Sequence, residues 1–335
     1  MAVLYLTEQG SRLHREGERL IVSKEGQVLA EIPAGTVEQV CIFGNITLTT
    51  PVITYFLRRG IDGVFLSQHG QYFGRLISSE SRFGLLRQRQ YQAISEAETS
   101  LRLARALVLG KLANQMTLLR RWGGERGDLV LLGELAERVR LVADLAGLRG
   151  LEGQAAAVYF GSLRQFLRPD LGFRGRQKRP PRDPVNSLLS LGYTLLSYIA
   201  WSAVQAVGLD PYGGFLHATV YSRPSLALDL IEEFRPLVDD FVLRLVVERR
   251  YGPDDFTQSA ESGAVLLTDA ARQRFLADWA RLVAAPRAVD AQPRSLRRLL
   301  DGQARQVARI VLGQQRDYRP VRLWAGESDA PGGAA

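Results

Sequence analysis

Residues 217–236 read HATVYSRPSLALDLIEEFRP. The spacing of the apolar positions decides what this stretch is. At about 100° per residue, Leu226, Leu230, Phe234, Leu237, Val238 and Phe241 fall on one broad stripe, which predicts a long helix running to about Arg250. Arg223-Pro224 opens it, since proline's fixed φ suits the first helical position and its missing N–H is no loss there. Asp229, Glu232 and Glu233 fall on the opposite side, three and four residues apart. Carboxylates early in a helix are favoured by the macrodipole, so the pattern alone predicts a solvated acidic face. The same residues allow a second chemistry. His217 stands just before the helix in a Gly-rich approach, PYGGFLH, where the backbone can turn sharply. One imidazole and carboxylates from a neighbouring helix can hold a divalent cation, given one more acid from elsewhere.

Outward from this stretch, helical periodicity covers the chain from about residue 83. Long helices are predicted over Glu96–Trp122 and Asp128–Ala146, and a third begins near Leu151 with Glu152 in its first turn and Tyr159 further along. Asp183-Pro184 reads as an N-cap followed by proline at the first helical position. The helix it opens is apolar nearly all round, as a central core helix is. Two amphipathic helices follow at 269–284 and 294–314. Residues 1–78 are of another kind. AVLYL, SRLHR, ERLIVSK and QVLAEIP alternate or are β-branched, with Glu16-Gly17 and Glu25-Gly26 at the turns. Thr50-Pro51 starts a short helix ending at Gly60, and two more strands follow. His14 and His69 lie in this half without acidic neighbours and read as surface residues. The division is therefore a β domain over 1–78, a linker over 79–95, an all-α domain over 96–325 and a disordered tail over 326–335.

Between these helices stands FRGRQKRPPRDP, in which Arg174, Arg176, Lys178, Arg179 and Arg182 are crowded among Gly and Pro. It is neither a regular helix nor a central strand. It reads equally as a solvated loop and as a phosphate-contacting one. A net charge of +8 favours a polyanionic partner, nucleic acid first and an anionic membrane surface second. One cysteine, Cys41, excludes an internal disulfide and a Cys-based zinc site. No basic segment followed by a long apolar stretch opens the sequence, so no signal peptide is expected. The most apolar window, Leu188–Val207, is broken by Ser, Gly, Thr and Gln, so action in the cytoplasm, away from membranes, is expected.

LEGQAAAVYF, FRGRQKRPPRDPVNSLLSLGYTLL, DPYGGFLH and RPSLALDLIEEFRP, in that order, resemble the CRISPR-associated spacer-acquisition integrases, in their stand-alone form. These are metal-dependent DNA nuclease-integrases of prokaryotic adaptive immunity. The opening LYLTEQGSRLHREGERLIVSKEG looks like that family's N-terminal β domain. The resemblance implies an α+β fold: an N-terminal β-sandwich-like domain for dimerisation and positioning, then a larger all-α catalytic domain. It implies one Mg²⁺ or Mn²⁺ held by Glu152, His217 and Glu232, with Asp229 as a nearby acid. It implies attack of a DNA 3′-hydroxyl on a phosphodiester, with double-stranded DNA as both spacer precursor and CRISPR repeat. Its implied partners are a second copy of the chain and a small ferredoxin-like companion protein. Tyr159, Asn186 and Arg223 are candidates for supporting or phosphate contacts. Two other readings stay open: a transposase-like or branched-DNA repair nuclease on the same fold, and a non-catalytic DNA-binding scaffold. The scaffold explains the charge but not the coincidence of Glu152, His217 and Glu232.

Overall fold

Alternating apolar residues at the N-terminus build two four-stranded sheets. The computed structural model describes residues 2–68, 72–76, 83–177, 180–289 and 292–324. Strands β1 (Ala2–Leu6), β2 (Arg12–Glu16), β3 (Arg19–Lys24) and β4 (Gln27–Pro33) come first. They are followed by β5 (Val37–Phe43), β6 (Thr47–Leu48), helix α1 (Thr50–Arg59), β7 (Asp62–Leu66) and β8 (Tyr72–Leu76). One sheet has the order β4-β3-β2-β6, the other β1-β5-β7-β8. In the second, β1, β5 and β7 are parallel and β8 returns antiparallel. Leu13 and Leu20 from the first sheet, Val40 and Ile42 from the second, and Val52 and Phe56 from α1 share one core. Cys41 is buried on β5.

A helical unit follows, so the fold is α+β as the sequence implies. Its helices are α2 (Gly84–Ser95), α3 (Ala97–Arg121), α4 (Arg126–Leu141), α5 (Leu145–Leu163), α6 (Pro184–Ala206), α7 (Ser225–Ile231) and α8 (Arg235–Val247). Then come the short hairpin β9 (Phe256–Gln258) and β10 (Val265–Leu267), helix α9 (Asp269–Ala284), a second hairpin β11 (Arg287–Val289) and β12 (Gln292–Arg294), and α10 (Leu296–Val311). Helix α6 starts where the Asp183 side chain accepts from Asn186 N at 2.8 Å. It is long and apolar enough to cross a bilayer, but most of its apolar length is buried inside the unit, as in a core helix.

The structure corrects the sequence expectations at several points. Residues 84–95 are not a linker but α2, whose Gln90 Nε2 donates 2.8 Å bonds to the Asp210 and Gly213 carbonyls. Helix α9 sides with the N-terminal unit, residues 1–81, and not with the helical one. The helical unit is not strictly all-α, because it contains both small hairpins. The 326–335 tail and His69 lie outside the described residues. Glu152 stands not in the first turn of its helix but well inside α5. That helix begins at Leu145 behind Asp144, whose side chain accepts from Gly147 N at 2.7 Å.

The acid-bearing helix is likewise not continuous. Between α7 and α8 the chain tightens into a single 3-10 turn, Glu232–Phe234. Pro236 explains the break: it has no N–H for the Glu232 carbonyl, and its ring crowds the residue four places back. The three acids are not solvated, since Asp229 and Glu233 are fully buried and Glu232 nearly so.

Beyond α10 the chain doubles back and straps over α3. Tyr318 Oη, Gln303 Nε2 and Val321 N all donate to Glu233, at 2.6, 2.8 and 2.6 Å. Asn114 Nδ2 donates to the Val321 and Glu233 carbonyls, and Asn114 Oδ1 accepts from Leu323 N. Pro320 comes so close to α3 that a Cβ on Gly110 would lie 2.5 Å from it. Burial, against these three donors, pushes the Glu233 carboxyl up to about 7.

Candidate functional site

Four separate stretches of the helical unit meet at one cavity of about 350 Å³. Helix α5 supplies Glu152, the 3-10 turn Glu232, the loop before α7 His217, and α3 Lys111. The 3-10 turn sends neighbouring acids different ways: Glu232 faces the cavity and Glu233 takes the strap. The Lys111 ammonium bridges the two cavity carboxylates, in contact with Glu152 Oε1 and 2.7 Å from Glu232 Oε2. Arg235, one turn along, donates from Nε to Glu232 Oε1 at 2.8 Å. Two cations and two anions thus balance in a cluster that is buried except at Glu152, which is partly open to solvent. Burial pushes the Glu232 carboxyl up, but Arg235, then Lys111, hold it below the usual carboxylate range. Burial opposes the Lys111 charge, and Glu232 and Glu152 outweigh it and raise the ammonium.

Asp229 does not face the cavity. It lies one turn before Glu232 and folds the approaching loop around itself. Its Oδ2 accepts from Phe215 N at 2.6 Å and Leu216 N at 3.0 Å, and its Oδ1 from His217 N at 3.0 Å. His217 Nδ1 is 2.7 Å from the same Oδ1. A carboxylate there accepts, so Nδ1 carries the proton and Nε2 keeps the free lone pair a ligand needs. Gly214 makes this wrap possible, since a Cβ there would stand 2.9 Å from Asp229 Oδ2 and 2.6 Å from Ser225 Cβ.

A second buried acid supports the far wall. Asp239 accepts from Tyr159 Oη at 2.7 Å and from Tyr193 Oη. Burial pushes its carboxyl up to about 6 against the pull of the two phenols. Tyr193 also carries the Arg235 and Arg176 guanidinium groups over its ring, 4.6 and 5.2 Å from the centroid. Arg176 is held further by Asn186 Oδ1 at 2.8 Å and Ser190 Oγ at 3.1 Å. Asn186 accepts from Gln177 N as well and donates to the Gly175 carbonyl, so it fixes the basic loop.

The structure therefore brings Glu152, His217, Glu232, Arg174 and Arg176 to one cavity. Arg174 is exposed at its edge. Arg182 points elsewhere, to the Gly263 carbonyl at 3.3 Å, and Arg223 is not among the residues lining the cavity. Lys178 and Arg179 lie outside the described residues. His14 pairs with Glu16 on β2 at 3.3 Å. Among the described residues no three His, Cys, Asp or Glu side chains form a ready-made metal cage. The donor set still suits a hard or borderline cation, because two carboxylates already converge on one positive charge beside an imidazole. Lys111, Arg235 and Asp239 were not singled out by sequence reasoning. Lys111 had a signal: it repeats the buried spacing of Leu107 and Leu118 on α3, and a charge on a core stripe needs a partner.

Comparison with known proteins finds relatives over most of the chain. The family model described as "CRISPR associated protein Cas1" matches residues 4–281. The chain is 40% identical over 283 residues to a CRISPR-associated endonuclease Cas1 of Thermus thermophilus, covering 83% of this chain and 84% of that one. It is 38% identical to one of Rhodospirillum rubrum, covering 82% and 84%. A solved Cas1 protein from Thermotoga maritima shares the fold at a TM-score of 0.82 and 24% identity, over 94% of this chain and 98% of that one. A chain of a Cas6-RT-Cas1--Cas2 complex matches at a TM-score of 0.81 and 26% identity, over 95% of this chain and 36% of that longer one.

Proposed function

The chain belongs to the Cas1 family of CRISPR-associated proteins, and from that membership we propose that it is a DNA endonuclease and integrase that inserts new spacers into a CRISPR array. The observation that carries the reading is the convergence of Glu152, Glu232 and His217 on a cavity edged by Arg174 and Arg176. Glu152, His217 and Glu232 would hold Mg²⁺ or Mn²⁺, which would supply Lewis-acid polarisation of a phosphodiester oxygen and offset charge on the phosphorus.

The chain's own residues do the rest. Asp229 holds His217 in one tautomer and orientation. Arg235, stacked on Tyr193 and bound to Glu232, keeps that carboxylate aimed at the cavity. Arg174 and Arg176 offer positive charge where a DNA backbone enters, which positions the phosphate without reading sequence. A DNA 3′-hydroxyl as attacking group gives strand transfer, and water gives nicking. The proposed partners are double-stranded DNA, a second copy of the chain and a small ferredoxin-like companion. The named Cas1–Cas2 assemblies among its structural relatives support the companion. We place the protein in the cytoplasm, where these substrates are. The test is a strand-transfer assay with short duplex DNA and a supercoiled repeat-bearing plasmid, with and without the companion, in Mg²⁺, Mn²⁺ and EDTA. Joined product that needs the divalent ion supports the reading; DNA binding with no cutting or joining under any condition leaves only the scaffold.

A further inference from the structure

Lys111 occupies a position that its charge makes consequential. Its ammonium touches Glu152 and Glu232, the two carboxylates proposed above as metal ligands. It is buried, reaches them from α3, and is backed on that helix by the Pro320 strap against Gly110. One turn along α3, buried Gln115 also lines the cavity, and its Oε1 has no hydrogen-bond partner among the described residues. A carboxylate pair that bridges an ammonium cannot at the same time close around a divalent ion, because the two cations repel and compete for the same lone pairs.

We propose that Lys111 is a resident competitor of the metal: it holds Glu152 and Glu232 together in the metal-free protein and must leave them when a divalent ion binds. This rests on the metal-site reading given above. The displaced ammonium needs a new anionic or hydrogen-bonding partner nearby. Gln115 Oε1, one turn along the same helix, is an acceptor with no partner among the described residues, and a DNA phosphate entering past Arg174 is an anion. A phosphate that takes over Lys111 relieves the competition, so DNA and metal each tighten the binding of the other, as linkage requires. The chain thereby disfavours a loaded site in the absence of substrate.

The experiment is a Mn²⁺ titration of the full chain followed by electron paramagnetic resonance of free Mn²⁺, with and without duplex DNA, on wild type, Lys111→Met, Lys111→Arg and His217→Ala. Without DNA, Lys111→Met is expected to bind Mn²⁺ about tenfold tighter than wild type or more, within the usual range of coupling between two ligands. The benefit that DNA gives to Mn²⁺ binding shrinks in that variant, whereas Lys111→Arg, which keeps the cation, stays near wild type. If wild type binds Mn²⁺ and His217→Ala does not, but Lys111→Met binds no tighter than wild type, the competitor is wrong while the metal site stands. If neither wild type nor Lys111→Met binds Mn²⁺, the metal site itself is wrong and the competitor falls with it.

A measurement on wild type covers the case in which Lys111→Met does not fold. In lysine-¹⁵N-labelled protein the Lys111 ammonium, assigned by its absence from Lys111→Arg, gives a protected ¹H–¹⁵N signal without metal. Saturating Mg²⁺ is expected to shift or abolish that signal. A signal unchanged at saturating Mg²⁺ overturns the proposal.

Discussion

His217 Nδ1 and Asp229 Oδ1 are 2.7 Å apart, and the same carboxylate also takes the backbone N–H groups of Phe215, Leu216 and His217. Asp229 is therefore the post around which the histidine loop is wound. Asp229→Ala leaves these donors buried without an acceptor. The expected loss is on the order of 3–5 kcal/mol of folding stability, read as a lower urea midpoint. Asp229→Asn keeps the carbonyl oxygen and loses less. Equal urea midpoints for wild type and Asp229→Ala would contradict the wound-loop geometry.

Glu152→Gln, Glu232→Gln and His217→Ala are each expected to reduce strand transfer by roughly 10²-fold or more, while the Kd for duplex DNA changes only a few-fold. A site that loses one ligand loses its cation, whereas DNA affinity comes mainly from Lys and Arg on phosphate. A gel-based joining assay and a fluorescence binding titration on the same preparations separate the two quantities. Near-normal joining by any of the three removes that residue from the ligand set.

Arg174 and Arg176 belong to one loop but predict different outcomes. Arg174 is exposed at the cavity edge, so Arg174→Ala flattens the slope of log K against log salt by roughly 0.9 with little change in Tm. Arg176 holds Asn186 and Ser190. Arg176→Ala lowers Tm as well as the slope. Identical slopes for wild type and Arg174→Ala leave that arginine without a phosphate.

Asp239 makes folding stability depend on pH in the less familiar direction. Its folded carboxyl is pushed up to about 6, from an ordinary value of 3.8, mainly by burial. Between those values the native state binds more protons than the unfolded chain, so stability falls as pH rises from about 4 to about 6 and then levels off. The loss is on the order of 3 kcal/mol for this group. Asp239→Asn keeps an acceptor for one phenol and cannot ionise, so its stability curve is flatter in that window. Chemical denaturation at half-unit pH steps compares the two slopes, and parallel curves would show that Asp239 is ionised throughout.

Much of the fold could be read from the sequence because it rests on period and punctuation. The β-branched alternation of residues 1–76 and the Asp183-Pro184 start of α6 are local signals, and both elements form where those signals lie. What the sequence concealed was tertiary. The sequence predicts one helix ending at Ala146 and the next starting near Leu151, yet α5 passes through Gly147 and Gly150, because Asp144 caps it earlier and its packing against α3 and α4 outweighs glycine's modest helix penalty. The acids of 229–233 read as a wet face. Their burial depends on partners far away in sequence: Lys111 for Glu232 and Tyr318 for Glu233. Pro236 was visible, and its missing N–H accounts for the 3-10 turn that contains the two glutamates.

The strap over α3 also sets a clock. Tyr318 donates to Glu233 across 85 residues of chain, which at roughly 5–20 residues per second of synthesis is a wait of about 4–17 s. Throughout that interval Glu233 has no phenol and no Val321 amide, for most of it no Gln303 either, and Gly110 has no Pro320 against it. Glu232 and Lys111 are the immediate neighbours of those two waiting residues. The backing of the cavity is thus among the last parts of the helical unit to be made, and a chain stalled before residue 318 carries every proposed metal ligand but not the support behind two of the cavity's residues.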